Sequence, residues 1–218
     1  MIRLHHVAQT RSFRVLWMLE ELGLEFELVP HSFFDRSLRD PAYLALSPAG
    51  RVPALEIDGR ALFESGAILQ YLAETRGALT GTAEERPDWL EWLHYCETVA
   101  AHIANLTQHH IMLRDPAMRS PTVMRLEAKR LEKALEGVER RLAGDWLLAS
   151  GFSAADIAVA YGALTGQRFV ALDRLPRLKA WLERIAARPA FARAAARDGA
   201  PEIYKADFYP PPEETQDA

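Results

Sequence analysis

Residues 47–74 restrict the possible fold more than any other stretch of this sequence. Asp58-Gly59 is typical of a two-residue hairpin turn, and it separates two short segments with the character of strands, Ala54–Ile57 and Arg60–Phe63. Apolar side chains then recur at helical spacing at Ile68, Leu69 and Leu72. A hairpin that is followed at once by a helix predicts a mixed α/β unit in this part of the chain.

Two residue pairs in the same stretch indicate a binding site. A cis peptide bond at Val52-Pro53, just before a strand, would turn the N–H and C=O groups of Val52 toward an extended ligand. Glu64-Ser65 places a carboxylate, a hydroxyl and free N–H groups at the start of the predicted helix, where they are suited to hold a substrate carboxylate. A plainer interpretation is also open: a trans proline, a serine that only caps the helix, and an acid that faces the helix dipole.

The segment Arg-Val-Pro-Ala-Leu at 51–55, followed by Phe-Glu-Ser at 63–65 and a helix, resembles the glutathione transferase family. The resemblance implies that the backbone of Val52 pairs with the cysteinyl part of glutathione and that Pro53 matches the family's cis-proline. It also implies that the Glu-Ser pair holds the γ-glutamyl end of glutathione. The implied glutathione-binding residues in this stretch are Arg51, Val52, Pro53, Glu64 and Ser65.

The residues before this stretch agree with that resemblance. They predict a strand at 2–7, a helix at 12–22, a second strand at 25–29 and a short helix that opens at Pro41. Together with the hairpin and its helix, this order is the thioredoxin-like arrangement. We therefore expect an α/β thioredoxin-like, glutathione-binding domain at 1–77.

The second half of the chain reads as helical. A linker is predicted at 78–86, an all-α helical-bundle domain at 87–206 and a Pro-rich, disordered tail at 207–218. Ser153 and Asp156 have the spacing of a capping box, with Asp in place of the usual Glu or Gln. In the family this element starts a central buried helix, so the resemblance gives Asp156 a role in folding and none in catalysis.

The start of the first helix is where the resemblance places the group that faces the glutathione sulfur. The reaction requires a thiolate, since the thiol is a poor nucleophile. Lowering a thiol pKa from about 8.5 by about two units requires about 2.7 kcal/mol. A hydrogen bond to a charged acceptor contributes about 1.5–3 kcal/mol, and a helix N-terminus adds about 0.3–1 kcal/mol. One hydroxyl at this helix start is therefore sufficient, and no metal is required.

Two hydroxyls are candidates for this catalytic role, Thr10 and Ser12. Thr10 precedes the helix and is favoured, whereas Ser12 fits the N-cap position better. Arg11 lies between them as an electrostatic helper and is assigned to the glutathione site. Counting back from Gly23, the serine of the family's serine-type classes falls on Gln9, so the sequence departs from the family here. The alternative that these residues only cap the helix stays open.

Composition excludes several classes of function. A formal charge of −4 gives no indication of nucleic-acid binding, and no apolar run approaches the roughly 18 residues of a membrane span. The single cysteine, Cys96, provides neither a disulfide nor a CxxC motif and is expected to be buried. A cytoplasmic protein is expected. His102, His109 and His110 lack the spacing of a zinc site; one of them is a candidate contact to a second substrate, although surface positions are favoured.

We therefore expect a glutathione S-transferase that uses glutathione as co-substrate, without a metal, to attack a hydrophobic small-molecule electrophile. A homodimer is implied by the resemblance. Two alternatives stay open. One is a glutathione-dependent disulfide reductase, peroxidase or isomerase on the same scaffold. The other is a non-catalytic interaction module, since a fold does not fix a function.

Overall fold

The N-terminal part of the chain is an α/β unit. The structure is a computed structural model that describes residues 1–212. Its strands are β1 (Arg3–His6), β2 (Glu27–Pro30), β3 (Ala54–Ile57) and β4 (Arg60–Phe63), and its helices are α1 (Ser12–Glu21), α2 (Pro41–Leu46) and α3 (Ser65–Arg76). The sheet order is β2-β1-β3-β4, with β1 parallel to β2 and antiparallel to β3. β3 and β4 form the predicted antiparallel hairpin. The thioredoxin-like arrangement is confirmed.

The rest of the described chain is helical, as expected. Its helices are α4 (Arg86–Thr107), α5 (Pro121–Arg141), α6 (Ala154–Gly166), α7 (Pro176–Ala186) and α8 (Pro189–Asp198). A single π-helical turn, Gln108–Met112, extends α4. Within residues 1–212, no helix combines the length and apolar character that a membrane span requires.

The core explains why α1 and α6 are fixed in place. α6 is buried on nearly every side, as expected of a central helix. The eight consecutive residues from Ser12 to Leu19 on α1 are also buried, and they lie between the sheet, α3 and the helical domain. Trp17 and Trp89 are fully buried, and so is Cys96, which confirms the burial expected for the cysteine. Because α1 is held from all sides, the loop before it is rigidly placed.

The predicted capping box at the start of α6 is confirmed. Ser153 accepts a hydrogen bond from the backbone N–H of Ala155, and Asp156 accepts one from the backbone N–H of Ser153 at 2.9 Å. Asp156 also accepts hydrogen bonds from Leu147 N and Trp181 Nε1, both at 3.0 Å. Burial raises the pKa of Asp156 despite these donors. The carboxyl group thus joins three parts of the helical domain, which agrees with a role in folding.

Two predicted N-caps are wrong. Arg11 occupies the N-cap position of α1, and Glu64 occupies that of α3, neither with a side-chain cap hydrogen bond. The two serines that follow them are buried, and each hydroxyl bonds to a side chain of another element, Ser12 to His6 of β1 and Ser65 to Arg14 of α1. Tertiary partners have therefore taken the hydroxyls that a local rule assigned to the helix ends.

The predicted tail lies partly within the described residues. Tyr209 stacks on Phe169 with ring centroids 5.6 Å apart, and its backbone N–H donates to the backbone oxygen of Arg168 at 2.7 Å. Residues 213–218 lie outside the described part, and the boundaries of the predicted domains and linker stay a prediction.

Candidate active site

Two cavities meet at the loop that precedes α1. The first has a volume of about 570 Å³ and is lined by residues of this loop, by residues 32–44 and by the loop before β3. The second, of about 220 Å³, lies between the same loop, α4, α6 and the segment after α8. Thr10 and Arg11 line both cavities. If one ligand occupies each cavity, a reaction between the two ligands would take place beside these two residues.

Thr10 is well placed for contact with a ligand, and Ser12 is not. Thr10 is half-buried, and its hydroxyl lies 2.8 Å from the backbone oxygen of Val7 and 2.8 Å from Ser12 Oγ. Ser12 is fully buried and is not among the residues that line either cavity. Of the two predicted catalytic hydroxyls, the structure brings only Thr10 to the cavities.

Gln9 fixes the path of this loop. Its backbone has a φ of 56°, its N–H donates to the carboxylate of Asp198 at 3.1 Å, and its carbonyl accepts from the hydroxyl of Tyr161 at 3.1 Å. Both partners belong to the helical domain. The helical domain therefore sets the position of the neighbouring Thr10.

The loop before β3 presents the predicted Val52-Pro53 pair to the first cavity. The Val52-Pro53 peptide bond is cis, and Arg51 and Val52 line the cavity. The carbonyl of Arg51 accepts hydrogen bonds from the hydroxyls of Tyr43 at 2.7 Å and Ser47 at 2.8 Å. Pro53 itself is buried behind them. The free backbone groups of Val52 thus lie beside the cavity, where an extended peptide could pair with them.

Glu64 and Ser65 lie at the N-terminus of α3, outside the residues that line the two cavities. Glu64 is exposed and has a φ of 69°, whereas Ser65 is buried. The hydroxyl of Ser65 accepts a hydrogen bond from Arg14 Nη1 at 3.0 Å. The free N–H groups at this helix start remain suited to a carboxylate.

Arg14 is a site residue that the sequence analysis missed. It is fully buried on α1 and donates both to Ser65 and to Glu97 Oε1 on α4, the latter at 2.7 Å. Arg11 reaches the same carboxylate at 3.1 Å. Burial acts to raise the pKa of Glu97, but the charges of Arg14 and Arg11 outweigh it and lower that pKa. One carboxylate of the helical domain therefore holds two arginines in place, one just before α1 and one on it.

The first cavity is strongly basic. No acidic side chain is among its described lining residues. Four arginines line it: Arg11, Arg36, Arg39 and Arg51. Arg36 and Arg39 come from the segment between β2 and α2. Such a lining favours a ligand with carboxylate groups.

The first 74 residues match the family model described as "Glutathione S-transferase, N-terminal domain", and residues 121–184 match "Glutathione S-transferase, C-terminal domain". The chain is 30% identical to "Glutathione S-transferase 3" of Schizosaccharomyces pombe, over 90% of this chain and 88% of that protein. The chain belongs to the glutathione S-transferase family. The family predicted from residues 51–65 is thereby confirmed.

Family members with different activities resemble this chain to a similar degree. It is 31% identical to "Disulfide-bond oxidoreductase YfcG" of Escherichia coli, over 89% of this chain and 94% of that protein. Among solved structures, a glutathione transferase from Burkholderia graminis with two glutathione molecules bound per subunit is similar, with a TM-score of 0.81 and 27% identity over 89% of this chain and 87% of that one. Family membership therefore fixes the scaffold and leaves the reaction to be argued from the site.

The second cavity of this family member has an apolar wall and several hydroxyls. Ala100, Ile103 and Ala104 of α4 face Ile203 and Tyr204 of the segment after α8. The candidate histidines of the sequence analysis lie elsewhere. His102 pairs with Glu127, His109 accepts a hydrogen bond from the backbone of Ser120, and His110 packs against Phe169. None of the three is among the residues that line the second cavity.

Within residues 1–212, no cluster of three or more His, Cys, Asp or Glu side chains is arranged to hold a metal ion. Burial raises the pKa of the Cys96 thiol to about 11, so Cys96 is not a nucleophile near neutral pH.

Proposed function

We propose that this family member is a glutathione S-transferase that conjugates glutathione to a small hydrophobic electrophile. Glutathione lies with its cysteinyl backbone on Val52 at the first cavity, and its γ-glutamyl end extends out of that cavity to Glu64 and Ser65. The electrophile occupies the second cavity. The observation that supports this most directly is that Thr10 lines both cavities at the point where they meet.

Each step of the reaction has a residue to support it. The hydroxyl of Thr10 donates to the glutathione sulfur and favours the thiolate, and Arg11 beside it adds a positive charge. The thiolate then attacks the electrophilic carbon, and the adjoining cavities supply the proximity that a reaction between two bound molecules needs. The small volume of the second cavity and its apolar α4 wall favour a compact, hydrophobic electrophile.

The glutathione assignment is tested by replacing the pair at the start of α3. Glu64→Gln with Ser65→Ala is expected to raise the Kd for glutathione at least about tenfold, because each lost hydrogen bond to a charged group is worth about 1.5–3 kcal/mol. Isothermal titration calorimetry measures the change. Glu183→Gln, an exposed acid on α7, is the matched control and should leave the Kd unchanged. Unaltered affinity in the double variant would place the γ-glutamyl end elsewhere.

Glutathione-dependent disulfide reduction is a second candidate. The four arginines and the volume of the first cavity suit a ligand with more carboxylates than a single glutathione carries, and a disulfide oxidoreductase is among the similar proteins. Turnover of a mixed disulfide of glutathione, with none of haloarenes, would favour this reaction over conjugation.

A homodimer, in which Tyr71 and the first two long helices contribute to the interface, and a cytoplasmic location are also proposed. Both are supported by family membership alone. Light scattering of the purified protein tests the dimer.

A further inference from the structure

A line of hydrogen bonds leads from Thr10 into the interior and ends at Asp198. Thr10 Oγ1 lies 2.8 Å from Ser12 Oγ, which in turn lies 2.8 Å from His6 Nδ1. His6 Nε2 lies 3.0 Å from the backbone oxygen of Asp198 and 3.2 Å from its carboxylate oxygen Oδ1. Ser12 and His6 are 0% and 2% exposed. These four residues, here called the Thr10–Asp198 relay, connect the meeting point of the two cavities to a buried imidazole.

The partners of His6 set the direction of the relay. Both atoms near Nε2 are oxygens of Asp198 that can only accept, so Nε2 carries the hydrogen. In the neutral ring Nδ1 is then an acceptor, and the hydroxyl of Ser12 donates to it. The oxygen of Ser12 is thereby left to accept from Thr10. The backbone oxygen of Val7 is a second acceptor for both hydroxyls, 2.8 Å from Thr10 Oγ1 and 3.2 Å from Ser12 Oγ. The relay can therefore pass a proton from the cavity toward His6.

We propose that the Thr10–Asp198 relay takes up the thiol proton of glutathione, with His6 as the final proton acceptor. This inference rests on the proposed function. The thiol gives its proton to Thr10 Oγ1, Thr10 gives its own to Ser12 Oγ, and Ser12 gives its own to His6 Nδ1. The S–H bond breaks and an N–H bond forms, so the products are a thiolate and an imidazolium. The imidazolium keeps its Nε2–H bond to Asp198, whose carboxylate offsets the new charge.

The surroundings of His6 fit this role. The only carboxylate that the described ion pairs place against His6 is that of Asp198, which also accepts from the backbone N–H of Gln9. Its neighbour on β1, His5, bonds instead to His31 and Glu56 and is not connected to Thr10. Histidine is the side chain that can gain and lose a proton near neutral pH. His6 does not touch the sulfur. It acts on the thiol only through Ser12 and Thr10, as the group that holds the proton at the end of the relay.

The test measures a ratio: the number of protons released to the solvent for each glutathione thiolate that forms on binding. Ultraviolet absorbance gives the thiolate formed when glutathione binds, and calorimetry in buffers of different ionisation enthalpy gives the protons that reach the solvent. The wild-type protein is expected to release less than roughly half a proton per thiolate, because His6 retains it. In His6→Gln, which keeps a hydrogen-bond acceptor but cannot hold the proton, the ratio should rise to about one. Ser12→Ala removes the hydroxyl between Thr10 and His6, and its ratio should also rise to about one.

His102→Gln is the matched control, since His102 bonds to Glu127 and lines neither cavity; its ratio should equal that of the wild type. If His6→Gln does not fold, ¹⁵N NMR of wild-type histidines decides the question, with the His6 ring moving to the imidazolium position when glutathione is added.

A wild-type ratio of about one proton per thiolate would overturn the relay and leave the proposed function intact. Glutathione binding without any thiolate would overturn the proposed activation of the thiol and the relay with it.

Discussion

Replacing Thr10 with valine is expected to lower kcat/KM for conjugation by about 10- to 150-fold at neutral pH. The reason is the loss of one hydrogen bond to a charged sulfur, worth about 1.5–3 kcal/mol, in a substitution that keeps the shape of the side chain. Steady-state assays with a haloarene measure the change. The loss should lie mainly in kcat, because the hydroxyl acts on the thiolate while the γ-glutamyl and cysteinyl contacts to glutathione stay in place.

Two controls separate activation of the thiol from damage to the fold. Thr10→Ser keeps the hydroxyl and should retain most of the activity. Thr75→Val makes the same change on the exposed end of α3, where the hydroxyl bonds to the backbone oxygens of Tyr71 and Leu72, and should have no effect on the rate. Wild-type rates in Thr10→Val would remove Thr10 from the mechanism. Gln9, which lines the second cavity, would then be the next residue to test, ahead of the buried Ser12.

Replacing Asp156 with alanine is expected to lower the free energy of unfolding by about 3–5 kcal/mol. The carboxyl group accepts from Leu147 N, Ser153 N and Trp181 Nε1, and each donor left unpaired in the interior costs about 1–3 kcal/mol. The loss is less than the sum because water can enter the vacated space. Urea denaturation followed by circular dichroism measures it.

Ser153→Ala removes only the hydroxyl part of the capping box and should cost about 0.5–2 kcal/mol. The control is Asp173→Ala. The side chain of Asp173 is 84% exposed, so this substitution should change the free energy of unfolding little. A loss in Asp156→Ala no larger than that in Ser153→Ala would show that the cap, and not the links to Leu147 and Trp181, accounts for the stability.

The parts of the fold that the sequence predicts well are those that local chemistry determines. The Asp58-Gly59 turn sets the β3–β4 hairpin, and the Ser153–Asp156 spacing sets the start of α6, each within a few residues. The position of Thr10 in the loop before the helix, where it lines both cavities, follows from a similar local pattern, and its catalytic role stays a prediction. These features follow from short-range patterns that a single sequence displays.

The rest of the site depends on contacts between residues far apart in the chain. Arg14 meets Ser65 across 51 positions and Glu97 across 83. A charged residue within the apolar run of α1 was a signal for such a buried partner, since arginine is seldom fully buried unless it is paired. Hydrogen bonds between elements also explain the wrong N-caps, because Ser65 bonds to Arg14 of α1 and Ser12 bonds to His6 of β1.

The proposal that this protein activates glutathione at Thr10 is tested most directly by titrating bound glutathione and following thiolate absorbance in the ultraviolet. We expect saturable binding and a bound-thiol pKa about two units below the ordinary value near 8.5. That shift should be reduced in Thr10→Val. Binding with an unshifted thiol pKa would contradict thiolate activation and favour a carrier or a redox role, and failure to bind glutathione at all would contradict the site itself.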